Sequence, residues 1–402
     1  MTKKLQVSFA FVATLALMAG LLTSAVFGQG GSRNIVVFDT AVNSAAQDSL
    51  LKIHGAVKVK DLPLVGGSVV LLPSKAAEKA LAHSAGVLRV EEDVLVTAYE
   101  KPSGKGKPGP SPAPVQVLPW GVDQVDAELV WFSGNSGDPV KVAVIDTGIS
   151  QNHPDLSANL KGGVNFVFAR GKVDPNKWND DNGHGSHVAG TIAAVNNSEG
   201  VVGVAHKADL YAVKVLDRNG SGYLSDVISG IEWAINNGMQ VANMSLGASA
   251  GTQSMHDAVI AARNAGVVVV AAAGNSGGAV GYPAAYPEVI AVSATDSNNF
   301  LASFSSFGPE VDLAAPGVSV YSTYKGTGYA TLSGTSMASP HVAGVVTLVL
   351  NTPVGVWDAD FDGVWDPSEV QNKLQSTATD LGVAGYDTLY GWGLVNAWNA
   401  VQ

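Results

Sequence analysis

Residues 140–148 read VKVAVIDTG. Four apolar side chains run unbroken from Val142 to Ile145, and the run ends on a carboxylate, Asp146, just before Gly148. A strand with one wet face alternates apolar and polar residues, whereas a strand covered on both faces does not. This stretch therefore predicts a parallel strand held between two layers of helix. In open sheets of that kind ligands sit beyond the carboxyl ends of the strands, so the position of Asp146 is where chemistry is to be sought.

The pattern continues outward. HVAGTIAAVN (187–196) reads as helix and ADLYAVKVL (208–216) as strand, followed by a helix in SDVISGIEWAINNG (225–238) and a strand in VANMSL (241–246). MHDAVIAARNAG (255–266) is a helix, and VVVVAAAGN (267–275) and VIAVSAT (289–295) are strands. A last helix runs through HVAGVVTLVLN (341–351). Such alternation from about residue 115 onward predicts an α/β fold, a doubly wound, mostly parallel sheet with helices on both faces.

Upstream lies a smaller pattern. NIVVFDT (34–40), the residues 42–54, AVKVKDLPLVGGSVVLLP (56–73), SKAAEKALAHSAG (74–86) and VLRVEEDVLVTAY (87–99) read as β-α-β-β-α-β, with one closing strand over 87–99. That order suggests a small ferredoxin-like α+β domain, with Ser74 as N-cap of the second helix. Residues 100–114 are rich in Pro, Gly, Ser and Lys and read as an exposed, cleavable linker. Residues 1–28 carry Lys3 and Lys4, then an apolar run and small residues, the make-up of a secretory signal peptide. The domains expected are thus a signal peptide (1–28), a small domain (29–99), a linker (100–114) and a large domain (115–402).

Composition narrows the function. The 402 residues include 46 Gly and only 14% charged residues, which fits a globular chain. With no cysteine, disulfides, thiolate nucleophiles and Cys-bound metals are excluded. The net charge of −11, concentrated after residue 115, argues against a nucleic-acid partner.

Four polar residues sit at glycine-flanked element boundaries: Asp146, His184 in NGHGSHVAGT (182–191), Asn275 at the end of VVVVAAAGN, and Ser336 in GTSMASPHVAG (334–344). Singly, each has a bland reading as an Asx turn, a structural histidine, a turn former or a capping serine. Together they supply the parts for attack on a carbonyl. Ser336 is the nucleophile, His184 its base and Asp146 the group that fixes the imidazole; Asn275 and the Ser336 N–H are donors to the oxyanion. If Ser336 starts its helix, Pro340 falls at the end of the first turn, where a missing N–H costs little.

These motifs resemble those of the subtilisin family of serine endopeptidases, in that family's chain order Asp, His, Asn, Ser, over about residues 115–402. The 34–99 region resembles its inhibitory propeptide. The chain order separates it from α/β-hydrolases, which run Ser, Asp, His with the nucleophile in a G-x-S-x-G elbow; Ser336 stands in GTSMA, without the second Gly. The resemblance implies a groove in which Gly220-Ser221-Gly222 and Ser245-Leu246-Gly247 flank an extended polypeptide substrate. It also implies a first specificity pocket lined by Ala272, Ala273, Gly274 and Gly281 that prefers large nonpolar side chains. Ser276 and the short 275–282 loop depart from some relatives, so the fine preference stays open.

Calcium is expected at two places. DADFDGVWDPSE (358–369) follows the D-x-D-x-D-G pattern of a calcium loop. Its donors are Asp358, Asp360, Asp362, the Val364 carbonyl, Asp366 and Glu369. A helix start capped by Asp366 and Glu369 explains part of the pattern and is compatible with it. The resemblance alone implies a second site from Gln116, Asp155 and Asn197 with the carbonyls of Val195, Glu199 and Val201. The expectation is a secreted, calcium-stabilised, monomeric serine endopeptidase. It has no nucleic-acid partner, no lasting membrane attachment and no organic cofactor, and its propeptide assists folding and then inhibits until self-cleavage near 98–101. A non-catalytic calcium-dependent peptide binder and a secreted esterase are the rival readings.

Overall fold

The computed structural model describes residues 31–99, 115–169 and 172–402. The signal-peptide and linker assignments lie outside the described residues. The chain divides into two compact units, with the boundary between Asp93 and Val94.

In the first unit, β1 (Ser32–Phe38), α1 (Ser44–Ile53), β2 (Val57–Leu62), β3 (Gly67–Leu72), α2 (Lys75–Ala82) and β4 (Val87–Glu92) follow in chain order. The sheet order is β2-β3-β1-β4, with every neighbouring pair antiparallel, as a ferredoxin-like β-α-β-β-α-β chain produces. Both helices start where a side chain can take an orphan N–H. Asn43 accepts from Ala46 and Ser74 from Ala77. Val36, Phe38, Val70 and Leu72 on one sheet face meet Leu51 and Leu81 of the helices.

The closing strand expected over 87–99 is two strands. β4 ends at Glu92, and Leu95–Ala98 forms β5 in the second unit. Asp93, buried and paired with Arg33 at 2.6 Å, ends the first unit's hydrogen bonding through its own N–H to the Arg33 carbonyl.

The second unit opens with short helices α3 (Trp120–Gln124) and α4 (Ala127–Trp131), then β6 (Lys141–Asp146), β7 (Leu160–Asn165) and a small hairpin, β8 (Phe168–Ala169) and β9 (Lys172–Val173). α5 (His184–Ala193), β10 (Asp209–Lys214), β11 (Ser221–Tyr223), α6 (Leu224–Asn236), β12 (Val241–Met244) and β13 (Leu246–Gly247) come next. They are followed by α7 (Gln253–Asn264), β14 (Val268–Ala272), β15 (Ile290–Thr295), β16 (Leu313–Pro316) and the hairpin β17 (Val320–Thr323) and β18 (Tyr329–Leu332). α8 (Thr335–Leu350), α9 (Pro367–Thr377) and α10 (Ala397–Ala400) complete it.

The central sheet has seven strands in the order β16-β15-β14-β12-β6-β10-β7, all neighbours parallel. The chain enters at β6, winds outward to β7 and β10 on one side, and then to β12 and beyond on the other. Asp146 thus ends the strand at which the winding reverses, where neighbouring crossovers diverge and leave a crevice. The VAVI run has the two-sided burial its composition demands. Val142 and Val144 join Val188 and Ile192 of α5 and Val342 and Val346 of α8 in one cluster, whereas Ile145 faces Gly230 of α6 across the sheet. No helix among the described residues is long and apolar enough to cross a membrane.

Candidate active site

His184 is the first residue of α5. Gly183 before it has φ of +121°, and a Cβ there would run into the Tyr324 ring, so glycine is required to turn the chain into the helix. His184 Nδ1 lies 2.8 and 2.9 Å from the two carboxylate oxygens of Asp146, and both side chains are fully buried. The Thr147 N–H also donates to Asp146 Oδ1, at 2.6 Å. A carboxylate on Nδ1 holds that nitrogen as the N–H and leaves Nε2 as the basic face.

Ser336 is not the first residue of its helix, as the sequence suggested, but the second. α8 begins at Thr335 after Gly334, with no side-chain cap. Pro340 therefore lies past the first turn, and the carbonyl its missing N–H would have bonded is that of Ser336. Ser245 Oγ donates to this carbonyl at 2.9 Å. The Ser336 hydroxyl in turn donates to the Ser245 carbonyl at 2.8 Å, and so is turned toward the groove strand. The hydroxyl's hydrogen bond in this arrangement is thus to the Ser245 carbonyl, and not the hydroxyl–imidazole bond expected.

Asn275 follows β14. Its Oδ1 accepts from the Thr335 N–H at 2.9 Å and the Thr335 hydroxyl at 3.0 Å, which aims its Nδ2 outward. That nitrogen donates to the backbone carbonyl of Tyr99 at 2.6 Å. Residues 94–99 lie in the groove itself. β5 pairs antiparallel with β11 on one side (Ser221 with Thr97, Gly222 with Val96) and with β13 on the other (Leu246 with Ala98, Gly247 with Thr97). The Ala98 N–H donates to the Gly220 carbonyl at 3.0 Å and the Tyr99 N–H to the Ser245 carbonyl at 3.3 Å. All six residues proposed to flank a peptide therefore border this segment.

The Tyr99 ring packs against Gly247 and Gly281, where any Cβ would strike it. Burial pushes its phenol pKa up to about 12. The cavity beside it is lined by Gly274, Ser276, Val280, Gly281 and Ser306 among others. Ala272, the last residue of β14, and Ala273, just after it, are fully buried, and the Ala273 carbonyl accepts from the Gly281 N–H at 2.9 Å.

The residues of the two candidate calcium sites fall as follows. Asp358, Asp360 and Asp362 each bring one carboxylate oxygen within 4.8 Å of the others. Gly363 has φ of +79°, and the N–H groups of Asp362, Gly363 and Val364 turn inward onto these carboxylates. Asp366 and Glu369 form a capping box on α9, and Glu369 Oε1 also accepts from the Ala359 N–H at 2.6 Å, tying the helix to the loop's start. Around Asp155, Gln116 Nε2 donates to the carbonyls of Val195 (3.1 Å) and Val201 (3.5 Å), and Asn197 Nδ2 to Asp155 Oδ1 (2.8 Å). Glu199 adjoins through its bridge to Val115 and its N–H to Asn197 Oδ1. Amide N–H groups here stand on carbonyl and carboxylate oxygens, the partners a hard cation takes. Asp155 and the carbonyls of Val195 and Val201 offer oxygen here, as the three clustered carboxylates do in the other loop, which is the donor type that calcium takes.

Several residues to which the sequence reading gave no role shape the site. Asp180 is a buried carboxylate beside α5, Thr147 holds Asp146 and the start of α5, and Thr335 holds Asn275, while Ser245, expected only as a groove residue, also binds the Ser336 carbonyl. Nothing in their local pattern distinguishes them from ordinary turn and helix-start residues. His187, one turn after His184, is held neutral by burial with its pKa lowered to about 3, and its Nε2 meets the carbonyls of Val320 and Ala330.

The family model for the subtilase family matches residues 137–393. Subtilisin J of Geobacillus stearothermophilus is 42% identical over the whole of both chains. M-protease of Shouchella clausii is 52% identical over 71% of this chain and 70% of its own. Subtilisin Savinase of Lederbergia lenta is 51% identical over 71% of this chain and all of its own. Fold, site and relatives together define a peptide-bond hydrolase of the serine endopeptidase class. The chain belongs to the subtilase family.

Proposed function

We propose that Asp146, His184 and Ser336 act as the catalytic triad, with Asn275 as oxyanion donor, in a secreted endopeptidase made as a self-processing precursor. The observation that carries the reading is Tyr99. Its carbonyl oxygen accepts from Asn275 Nδ2 at 2.6 Å while the four residues before it form β5, paired with β11 on one side and β13 on the other. A carbonyl so placed is the electrophile of a seated substrate, and the bond to be cut is the one after Tyr99.

In this reaction Ser336 Oγ forms a bond to the carbonyl carbon and passes its proton to His184 Nε2. Asp146 stabilises the imidazolium, and the oxyanion takes hydrogen bonds from Asn275 Nδ2 and the Ser336 N–H. Collapse expels the amine, which takes the proton from His184. Water then enters by the same path, frees the acid and restores Ser336. Backbone pairing on both sides of the peptide gives affinity independent of sequence, and the glycine-walled cavity beside Tyr99 selects large, mainly apolar side chains at the cut.

Residues 29–99 assist folding and leave their last strand in the groove as inhibitor until it is degraded, and residues 1–28 direct export. Calcium supplies a structural, charge-neutralising centre. Asp358, Asp360, Asp362, the Val364 carbonyl, Asp366 and Glu369 hold one ion. Gln116, Asp155 and Asn197 with the carbonyls of Val195, Glu199 and Val201 hold another.

The test is to express the full chain and its Ser336→Ala variant and follow fragment masses and fluorophosphonate labelling. The expected result is a cut after Tyr99 and a label on Ser336 in the native chain only. A Ser336→Ala chain that still cuts itself when pure, or a folded native chain that takes no label, overturns the proposal.

A further inference from the structure

Asp180 lies four residues before His184 and is only 3% exposed. Its Oδ1 accepts from Thr147 Oγ1 at 3.0 Å and from the N–H groups of Asn182 and Gly183 at 2.9 Å each. Its Oδ2 accepts from the Ser186 N–H at 2.9 Å and the Ser186 hydroxyl at 2.6 Å. A carboxylate is tolerated in so enclosed a place only when donors surround it. Burial pushes its carboxyl pKa up, and the hydrogen bonds from Ser186, Gly183 and Asn182 oppose that shift.

The donors come from two separate pieces of chain. Thr147 directly follows Asp146 at the end of β6, whereas Asn182, Gly183 and Ser186 bracket His184 at the start of α5. Thr147 Oγ1 also accepts from the Gly185 N–H at 2.8 Å, so the same hydroxyl bridges helix and carboxylate. The N-cap of α5 is Gly183, which has no side chain to offer. Asp180 supplies from outside the acceptor that a capping side chain supplies elsewhere.

We propose that Asp180 is a positioning residue for the reaction: one carboxylate that clamps the strand end carrying Asp146 to the helix start carrying His184, and so fixes the imidazole against its partner. The inference rests on the roles given above to Asp146 and His184. Asp180 itself touches neither substrate nor reacting atoms. Its effect comes through geometry, where displacement of a general base by a fraction of an ångström is felt in turnover more than in binding.

The test compares Asp180→Asn, Thr147→Val and His184→Ala in the full chain, each checked for folding by circular dichroism and melting temperature. Two readouts are taken. One is the downfield proton resonance of the His184 Nδ1–H bond to Asp146, assigned by its loss in His184→Ala and readable without turnover. The other is kcat and KM on one chromogenic peptide. In Asp180→Asn and Thr147→Val we expect the resonance to move or broaden. We also expect kcat to fall about 10- to 100-fold, with KM within about threefold. Folded variants that keep both the native resonance and the native kcat overturn the proposal. Should Asp180→Asn fail to fold, Thr147→Val, which removes only the bridging hydroxyl, decides by the same criteria. If His184→Ala keeps native activity, it is the triad assignment that fails.

Discussion

Ser336 shows how a single residue's chemistry depends on a bond that its helix does not make. Pro340 has no N–H to give, so the Ser336 carbonyl turns to the Ser245 hydroxyl, and the Ser336 hydroxyl answers by donating to the Ser245 carbonyl. The proposed nucleophile is thereby tied to the strand that borders residues 95–98. Asn275 is held in the same manner, by Thr335, with its amide nitrogen on the Tyr99 carbonyl. A hydrogen bond to a charged partner contributes roughly 1.5–3 kcal/mol, so losing one as the oxyanion forms costs about 10- to 100-fold in rate. Asn275→Leu, similar in size, is therefore expected to lower kcat by that factor with KM little changed. Steady-state kinetics on a peptide substrate checks it, and an unaltered kcat would remove Asn275 from the oxyanion site.

At the scale of elements, the loop between α8 and α9 concentrates like charge. Asp358, Asp360 and Asp362 stand within 4.8 Å of one another, and Glu369 fastens the loop to α9. Such a cluster is costly without a cation and stabilising with one. A ligand present at about 100 times its dissociation constant adds roughly 2.7 kcal/mol, which for a domain of this size raises the melting temperature by about 5–10 °C. In the Ser336→Ala chain, where autolysis is silenced, chelation is expected to lower the melting temperature by at least that much. Asp360→Asn, at an exposed position, is expected to reproduce the part due to this loop. Equal melting temperatures with calcium and with chelator would count against both sites.

At the scale of the whole molecule, enclosure sets how stability varies with pH. Burial lowers His187 to about 3, His341 to about 4 and His206 to about 4. Each is neutral when folded but titrates near 6.5 when unfolded, so between these values the unfolded chain binds more protons and stability rises with pH. That contribution is complete above about pH 6.5 and is lost as the pH falls toward the folded values. Asp312 acts in the opposite sense. Burial raises it to about 6, so its effect favours the folded state below that pH. The three histidines outweigh it between pH 6.5 and 5, where His187 and His341 each remove about 1–2 kcal/mol. Urea midpoints of the Ser336→Ala chain are expected to fall steadily from pH 7 to 5. A flat profile would mean that these imidazoles accept protons without unfolding.

Much of this was legible in the primary structure because it depends on local periodicity and on what single residue types can do. The unbroken VAVI run needed two covering layers, the glycines around His184 and Ser336 marked element starts, and Asp, His, Asn and Ser at such boundaries supplied the parts for attack on a carbonyl. What needed the tertiary structure was everything decided by partners distant along the chain. The strand expected over 87–99 breaks at Asp93 because Arg33 holds one side while β11 and β13 take the other. Asp180 and Thr147 carried no role in the sequence, and they gain one only where the fold brings the end of β6 against the start of α5. A carboxylate's role is fixed by the donors that enclose it, and chain order alone does not say which donors those are.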